Sequence, residues 1–153
     1  MLMRFRADVI NLKPKVVVIL AGTNDIAGNT GPSTLEMIED NLESMSELAS
    51  VHDIQVVLSS VLPVYDYPWN PGLKPYEKIP VLNKWIKEYA AKNGYLYVDF
   101  YSSMVDDRPG LKVAYSSDGV HPNKLGYSVM ASLVKKVIIR ALSGKDKKSV
   151  VNK

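Results

Sequence analysis

The chain has 153 residues, of which 46% are hydrophobic and 23% charged, as is typical of one globular domain with a single core. The absence of cysteine excludes disulfides, thiol catalysis and thiolate metal sites. The formal net charge of +3 does not indicate nucleic-acid binding, because it equals the charge of residues 144–153, which contain four lysines and one aspartate.

This uneven charge divides the chain into two predicted parts. We interpret residues 1–143 as a single domain and residues 144–153 as a basic, disordered tail after the last helix. No apolar run approaches the length of a membrane span. With two histidines and no cysteine, we expect no metal, no cofactor, no nucleic-acid partner and no membrane span.

A helix and a buried strand are predicted at the start of the chain. The run from Val16 to Ala21 is rich in β-branched residues and has no polar alternation, which is typical of a parallel strand covered on both faces. Before it, Pro14 ends a segment in which apolar residues recur every three or four positions, as on one face of a helix: Leu2, Phe5, Val9 and Leu12.

Two more helix–strand units follow, and then a last helix. The stretch from Ser33 to Glu36 has the pattern of a capping box, and Ile54 to Leu58 predicts the second strand. Residues 62–75 contain four prolines and three aromatic residues and predict a long irregular loop, whereas Tyr95 to Val98 predicts a third strand. Apolar stripes mark the three helices: Leu35, Ile38, Leu42, Met45 and Leu48; Leu82, Trp85, Ile86, Tyr89 and Ala90; Leu125, Val129, Leu133, Val137 and Ile138.

The alternation of helices and strands predicts an α/β fold, a three-layer sandwich with a parallel sheet and right-handed crossovers. In such folds the functional crevice lies beyond the carboxyl ends of the strands. Residues 22–25, 59–65 and those from Asp99 onward all leave strands at that edge. We therefore expect the residues that carry chemistry to gather on one rim of the sheet.

The segment from Ser117 to Asn123 places an acid and an imidazole three residues apart. Gly119 and Pro122 favour a bent loop over a helix turn, so that the Asp118 carboxylate can accept a hydrogen bond from the His121 Nδ1–H. Asn123 is predicted to be the N-cap of the helix that follows. The alternative interpretation of this pair is an incidental ion pair on a surface loop.

Asn24 follows the first buried strand, in a turn that Gly22 opens. A side-chain amide at this place can donate a hydrogen bond to an oxyanion. The alternative is an asparagine that only bonds the backbone of its own turn.

Taken together, Gly22-Thr23-Asn24-Asp25 and the stretch from Asp118 to Asn123 resemble the SGNH hydrolases, also called the GDSL esterase/lipase family, and Val61-Leu62-Pro63 is similar to a loop of these enzymes. The resemblance covers essentially the whole chain. It implies that Asn24 belongs to the oxyanion hole and that Asp118 and His121 are the acid and base of a Ser-His-Asp triad. It also implies a flavodoxin-like sheet and an ester substrate, with a carbohydrate acetate among the candidates.

The chain departs from the family pattern at its start. The Gly-Asp-Ser stretch with the nucleophile does not occur in the sequence, and neither does the block with the oxyanion-hole glycine. We therefore interpret the chain as the C-terminal part of such a domain, without its first two strands and inactive alone. Loss of those strands would leave Val16 to Ala21 as an exposed edge, which predicts self-association. Any export signal would precede this part, so that the sequence predicts no compartment.

Other serines are weaker candidates for the nucleophile. Ser59 and Ser60 end a strand at the active rim, and Ser116 and Ser117 adjoin the acid. No turn around Ser59 or Ser60 resembles that of an activated nucleophile. Hydroxyls at a strand end are expected to bond backbone groups instead.

The remaining polar and aromatic candidates have ordinary structural interpretations. We expect an exposed surface position for His52, a loop cap for Asp99 and a solvated turn for Asp106-Asp107. Three aromatic residues of the proline-rich loop are equally consistent with a substrate pocket and with packing: Tyr65, Tyr67 and Trp69. They also support the rival function, a non-catalytic carbohydrate- or protein-binding module on the same scaffold.

Overall fold

The computed structural model describes residues 1–143, in which helices and strands alternate. The predicted tail, residues 144–153, lies outside the described residues. The strands are β1 (Val16–Ile19), β2 (Gln55–Ser59) and β3 (Leu96–Val98). The helices are α1 (Leu2–Asp8), α2 (Thr23–Ile26), α3 (Leu35–Ser50), α4 (Pro75–Asn93), α5 (Tyr101–Met104) and α6 (Lys124–Leu142), with short 3-10 helices at Ile10–Leu12 and Val113–Tyr115.

The three strands form one parallel sheet in the order β1-β2-β3. Val17 pairs with Val56, and Leu58 pairs with Tyr97. Each crossover between neighbouring strands contains a helix, as parallel pairing requires. The α/β class and the parallel sheet predicted from the sequence are thus confirmed.

Helices cover both faces of the sheet. Val17 and Val56 point into a core that contains residues of α1, α3 and α4. Val18 and Val57 point into a second core, which α5 and α6 complete. Because successive strand residues face opposite sides, a continuous apolar run is what two covered faces require. The predicted three layers are present.

The first strand is shorter than the predicted run from Val16 to Ala21. Its ladder with β2 ends at Ile19, whose carbonyl oxygen accepts a hydrogen bond from the Ser59 hydroxyl at 3.1 Å. Leu20 and Ala21 therefore leave the sheet towards α2. In the described residues no strand pairs with the other edge of β1, whose valines are partly exposed. Self-association through this edge stays a prediction.

The predicted capping box is wrong in its details. The N-cap of α3 is Thr34, whose side chain accepts a hydrogen bond from the backbone N–H of Met37 at 3.2 Å. Ser33 instead donates to the carbonyl of Gly31. The helix starts one residue later because Thr34 has the extended backbone that an N-cap needs.

Helix α6 supports the segment that precedes it. As predicted, Asn123 is its N-cap, and its side-chain oxygen accepts hydrogen bonds from Leu125 and Gly126 at 2.9 and 3.0 Å. Leu125 was predicted to face the core, but it is 53% exposed because the buried face of α6 begins at Gly126. No helix within residues 1–143 has the length and apolarity needed to cross a bilayer.

Candidate functional site

The segment from Ser116 to Asn123 is a compact loop. Ser116 and Pro122 form an isolated antiparallel bridge, and Gly119 between them has a φ of +78°, a value that favours glycine. The buried Ser116 hydroxyl accepts hydrogen bonds from the Gly119 and Asp118 amides and lies 2.8 Å from the carbonyl oxygen of His121. A buried hydroxyl thus holds the loop closed.

This loop brings Asp118 and His121 together. Asp118 Oδ2 lies 2.7 Å from His121 Nδ1, while Oδ1 accepts hydrogen bonds from the backbone N–H groups of His121 and Val120 at 2.8 and 2.9 Å. The His121 imidazole, then the two amides, hold the pKa of Asp118 well below its usual range. The carboxylate therefore stays ionised and fixes the ring through Nδ1, which leaves Nε2 for proton transfer.

Both side chains remain open to solvent. His121 exposes 70% and Asp118 exposes 43% of the side-chain surface. A molecule that arrives from solvent can therefore reach the imidazole directly. The same exposure means that water screens the pair, so that its contribution to stability is small.

Asn24 lies at the same rim of the sheet, in helix α2 after the carboxyl end of β1. Gly22 has a φ of +114°, and a Cβ there would lie 3.1 Å from Leu82 and 3.3 Å from Ile38. Both the close contacts and the backbone angle favour glycine in this tight turn, which starts helix α2. Asn24, the second residue of α2, is exposed beyond the carboxyl end of the strand.

Asn24 and His121 line one shared hollow of about 190 Å³. Its wall is part polar and part apolar, and it combines residues of α2, the proline-rich loop, the Ser116–Asn123 loop and α6: Leu20, Thr23, Asn24, Leu62, Tyr67, Trp69, Val120, His121, Pro122, Tyr127 and Met130. A larger hollow of about 490 Å³ lies at the opposite end of the sheet, beside Arg6, Lys13 and His52. The smaller hollow is the candidate active site, because Asn24 and His121, the imidazole that Asp118 holds, both line it.

Two aromatic residues of the proline-rich loop belong to this hollow. Tyr67 is buried, and its hydroxyl donates to the Thr23 carbonyl and lies 3.0 Å from the Thr23 hydroxyl; burial raises the pKa of Tyr67. Trp69 stacks on the His121 imidazole with ring centres 5.8 Å apart. Tyr65 lies elsewhere, between Tyr76 and Arg108. The loop thus supplies both a pocket wall and packing, as both interpretations anticipated.

The serines considered as nucleophiles are held by structural hydrogen bonds or lie outside the hollow. The Ser59 hydroxyl donates to Ile19, and the Ser60 oxygen accepts from the amides of Phe100 and Tyr101 at 2.8 Å. Ser116 closes its own loop, and neither it nor Ser117 lines the hollow. The backbone-bonding role expected for the strand-end hydroxyls is confirmed.

The other predicted polar residues have structural positions. His52 is exposed, and Asp99 caps the next turn by accepting bonds from the Ser102 N–H and hydroxyl at 2.9 and 2.7 Å. Asp106 accepts bonds from the Arg108 and Gly110 amides within one turn. Across residues 1–143, no group of three or more His, Cys, Asp and Glu side chains is placed to hold a metal ion.

Sequence reasoning missed one part of the site, the contacts of Asn24. Asn29 donates from Nδ2 to Asn24 Oδ1 at 3.1 Å, and Trp69 donates from Nε1 to Asn29 Oδ1 at 3.0 Å. The turn marked by Gly28 signals that the chain bends back here. No sequence pattern relates this turn to Trp69, which lies 40 residues further on.

A family model decides the classification of the chain. The model of the GDSL-like lipase/acylhydrolase family matches residues 1–129. The chain belongs to this family. Its resemblance to the SGNH hydrolases, based on the segments around Asn24 and His121, is therefore confirmed.

Solved structures and a curated relative agree with this membership. A Bacteroides fragilis NCTC 9343 protein assigned as an acylhydrolase is 47% identical, with a TM-score of 0.90 over 92% of this chain and 69% of its own. A GDSL-like lipase of Bacteroides thetaiotaomicron VPI-5482 is 45% identical, with a TM-score of 0.88 over the same shares. An acetylxylan esterase of Xylanibacter ruminicola is 27% identical over 83% of this chain, which spans 29% of that esterase.

Proposed function

We propose that the chain supplies the acid, the base and one oxyanion donor of a Ser-His-Asp ester hydrolase. One observation carries this proposal: the Asp118–His121 hydrogen bond of 2.7 Å lies at the hollow that Asn24 also lines. Membership of a lipase/acylhydrolase family supports the reaction class. Asp118 is the orienting acid, His121 the general base, and Asn24 the donor to the oxyanion.

The proposed reaction has two steps of acyl transfer. A serine hydroxyl attacks the ester carbonyl carbon while His121 Nε2 takes its proton, and the Asp118 carboxylate stabilises the imidazolium. The Asn24 amide donates to the negatively charged oxygen that forms. His121 then gives the proton to the leaving alcohol, and water repeats the sequence to release the acid.

We infer that the nucleophilic serine comes from residues outside this sequence, so that the chain alone is inactive. Ser59, Ser60 and Ser116 are engaged in structural hydrogen bonds, and the sequence contains no Gly-Asp-Ser stretch. The chain covers 69% of the Bacteroides fragilis protein, so that the rest of that protein has no counterpart in this sequence. Loss of a triad serine lowers the rate by about 10⁶-fold in subtilisin.

We propose short acyl esters as the substrates, including acetylated carbohydrates. The hollow of about 190 Å³ accommodates a small acyl group. Trp69, which is 47% exposed, offers an aromatic edge beside the imidazole to the alcohol part of the ester. The acetylxylan esterase among the relatives supports an acetyl group on a sugar.

The second candidate is a non-catalytic carbohydrate- or protein-binding module. The half-exposed Trp69 favours it, together with the engaged hydroxyls of Ser59, Ser60 and Ser116. Such a module would bind sugars through the aromatic loop and would not need the Asp118–His121 pair.

A chimera separates the two candidates. We define it as this chain joined to the part of the Bacteroides fragilis protein that the chain does not match. We expect the chimera to hydrolyse p-nitrophenyl acetate and this chain alone to remain at the background rate. Replacement of His121 by alanine in the chimera should abolish the hydrolysis. A folded chimera whose rate does not depend on His121 would contradict the hydrolase and leave the binding module.

A further inference from the structure

Asn24 is part of a directed chain of hydrogen bonds. Trp69 Nε1 donates to Asn29 Oδ1 at 3.0 Å, and Asn29 Nδ2 donates to Asn24 Oδ1 at 3.1 Å. We propose that Asn29 and Trp69 are positioning residues that turn the Asn24 amide so that its N–H₂ group faces the hollow. This proposal deepens the proposed function and rests on the oxyanion role of Asn24.

The direction of this series of hydrogen bonds follows from the chemistry of its first donor, the Trp69 indole. An indole N–H can only donate, whereas a side-chain amide donates at one end and accepts at the other. Trp69 therefore requires the oxygen of Asn29 on its side, which places the Asn29 N–H₂ towards Asn24. That N–H₂ in turn requires the oxygen of Asn24. The Asn24 N–H₂ group is left as the free end.

The backbone supports the same arrangement. The Asn29 N–H donates to the Asn24 carbonyl at 2.9 Å, which fixes the spacing of the two side chains at the end of α2. Both residues are exposed, so that water competes for each amide. A single bond would not hold an exposed amide in one orientation. The Trp69 N–H therefore sets the direction of both hydrogen bonds, from Trp69 to Asn29 and from Asn29 to Asn24.

The proline-rich loop holds Trp69 in place through contacts on either side. Tyr67 bonds Thr23 through its hydroxyl, and Asn70 Nδ2 donates to the Ala27 carbonyl at 3.1 Å. These bonds dock residues 67–70 along α2. Asn70 makes no hydrogen bond to Asn24 or Asn29, and Tyr67 still docks the loop when Asn70 is removed, so that Asn70→Ala leaves the order of the hydrogen bonds unchanged.

Trp69 also contacts the base. Its ring stacks on the His121 imidazole at 5.8 Å with an angle of 28° between the planes. One side chain therefore contacts the general base with its ring and directs the oxyanion donor with its N–H.

Side-chain amide NMR of this chain tests the proposal without any requirement for catalysis. Asn24→Ala and Asn29→Ala assign the two pairs of side-chain N–H₂ signals. In the unchanged chain we expect slow exchange with deuterium for a proton of Asn29 and fast exchange for both protons of Asn24. In Asn29→Asp one Asn24 proton should exchange slowly instead, because a carboxylate can only accept and would draw the Asn24 N–H₂ towards itself.

Trp69→Phe supplies an independent test, since it keeps a stacking ring and removes only the N–H donor. We expect the Asn24 signals to shift towards those of a freely rotating amide, while Asn70→Ala leaves them in place. Unchanged Asn24 signals in both Asn29→Asp and Trp69→Phe would overturn the proposal. If Asn29→Asp does not fold, Trp69→Phe alone decides: shifted Asn24 signals support the proposal and unchanged signals overturn it.

The chimera then measures the consequence for catalysis. Loss of one oxyanion donor lowers kcat by about 10²–10³-fold in subtilisin, so that a misdirected donor should lower kcat by roughly 10–100-fold. We expect this fall in kcat for Asn29→Asp and Trp69→Phe, with KM little changed. The control, Asn70→Ala, should keep a kcat close to that of the unchanged chimera. An equal fall in all three variants would overturn the positioning role. An inactive chimera would contradict the hydrolase, whereas the NMR result would still decide the orientation of Asn24.

Discussion

The two sides of the hollow are built in opposite ways. On the His121 side, the bonds that join Ser116, Asp118 and His121 link residues at most five positions apart. On the Asn24 side, the bonds that Tyr67, Trp69 and Asn70 make to residues 23–29 span 40 to 44 positions. The Asp118–His121 pair can thus form within its own loop, whereas Asn24, the proposed oxyanion donor, is directed only after residues 67–70 have docked.

This difference predicts separate failures. We call the His121 side the local side, and the Asn24 side with residues 67–70 the docked side. A change within the local side should remove catalysis and leave the fold intact, because the loop is exposed and contributes little to the core. A change within the docked side should reduce stability, because it uncovers buried surface. Four substitutions or conditions test this comparison.

The largest effect is expected from Asp118→Asn in the chimera. An asparagine cannot stabilise the imidazolium and favours the wrong tautomer of His121, so that kcat should fall by about 10⁴-fold, as for the equivalent change in a serine protease. Hydrolysis of p-nitrophenyl acetate measures it. Asp99→Asn is the matched control, since Asp99 only caps a turn at Ser102. Retention of full activity in Asp118→Asn would show that the pair is not catalytic.

Tyr67→Ala breaks the docked side. Tyr67 is 1% exposed and bonds Thr23, so that its truncation should reduce the free energy of unfolding by about 3–5 kcal/mol. Urea unfolding of this chain measures the change. Tyr65→Ala, at a residue 46% exposed in the same loop, should cost under about 1.5 kcal/mol. Similar losses for both variants would mean that docking through Tyr67 is not what stabilises the loop.

Asn123→Ala tests the boundary between the local loop and helix α6. The lost N-cap leaves the Leu125 and Gly126 amides without their side-chain acceptor, and unfolding should become easier by about 1 kcal/mol. Ser128→Ala, further along the same helix, should stay within about 0.5 kcal/mol of the parent. The cap would have no energetic role if both variants melted alike in denaturant.

The smallest effect is expected from acid. Because the His121 imidazole and two backbone amides lower the folded-state pKa of Asp118, its contribution to stability is complete above the unfolded pKa of about 4 and is lost progressively as the pH falls from there through the lower folded-state pKa. The exposed pair makes this contribution small. The unfolding free energies of the parent and Asp118→Asn should therefore begin to converge as the pH falls below about 4. A constant difference at all pH values would contradict the lowered pKa.

The local side was largely predictable from the sequence. Gly119, Pro122 and Asn123 define a bent loop followed by a cap, and the structure shows both. The β-branched run after Pro14 predicted strand β1 for the same reason, since its information lies within a few neighbouring residues. The error at Ser33 arose because either of two adjacent residues fitted the capping pattern, and only the backbone angle at Thr34 decides between them.

The docked side could not be predicted in the same way. The composition of residues 62–75 indicated a loop, but the partner of each aromatic ring depends on a docking geometry that no periodicity encodes. Tyr65 and Tyr67 are two positions apart, yet one lies against Arg108 and the other under Thr23. The contacts of Asn29 with Asn24 and Trp69 became visible only in three dimensions.

A crystal structure of the chimera after reaction with a fluorophosphonate tests the central claim most directly. We expect a phosphonate on the added serine, with one oxygen about 2.7–3.1 Å from Asn24 Nδ2 and another within hydrogen-bond distance of His121 Nε2. An adduct whose oxygens contact neither Asn24 nor His121 would contradict it.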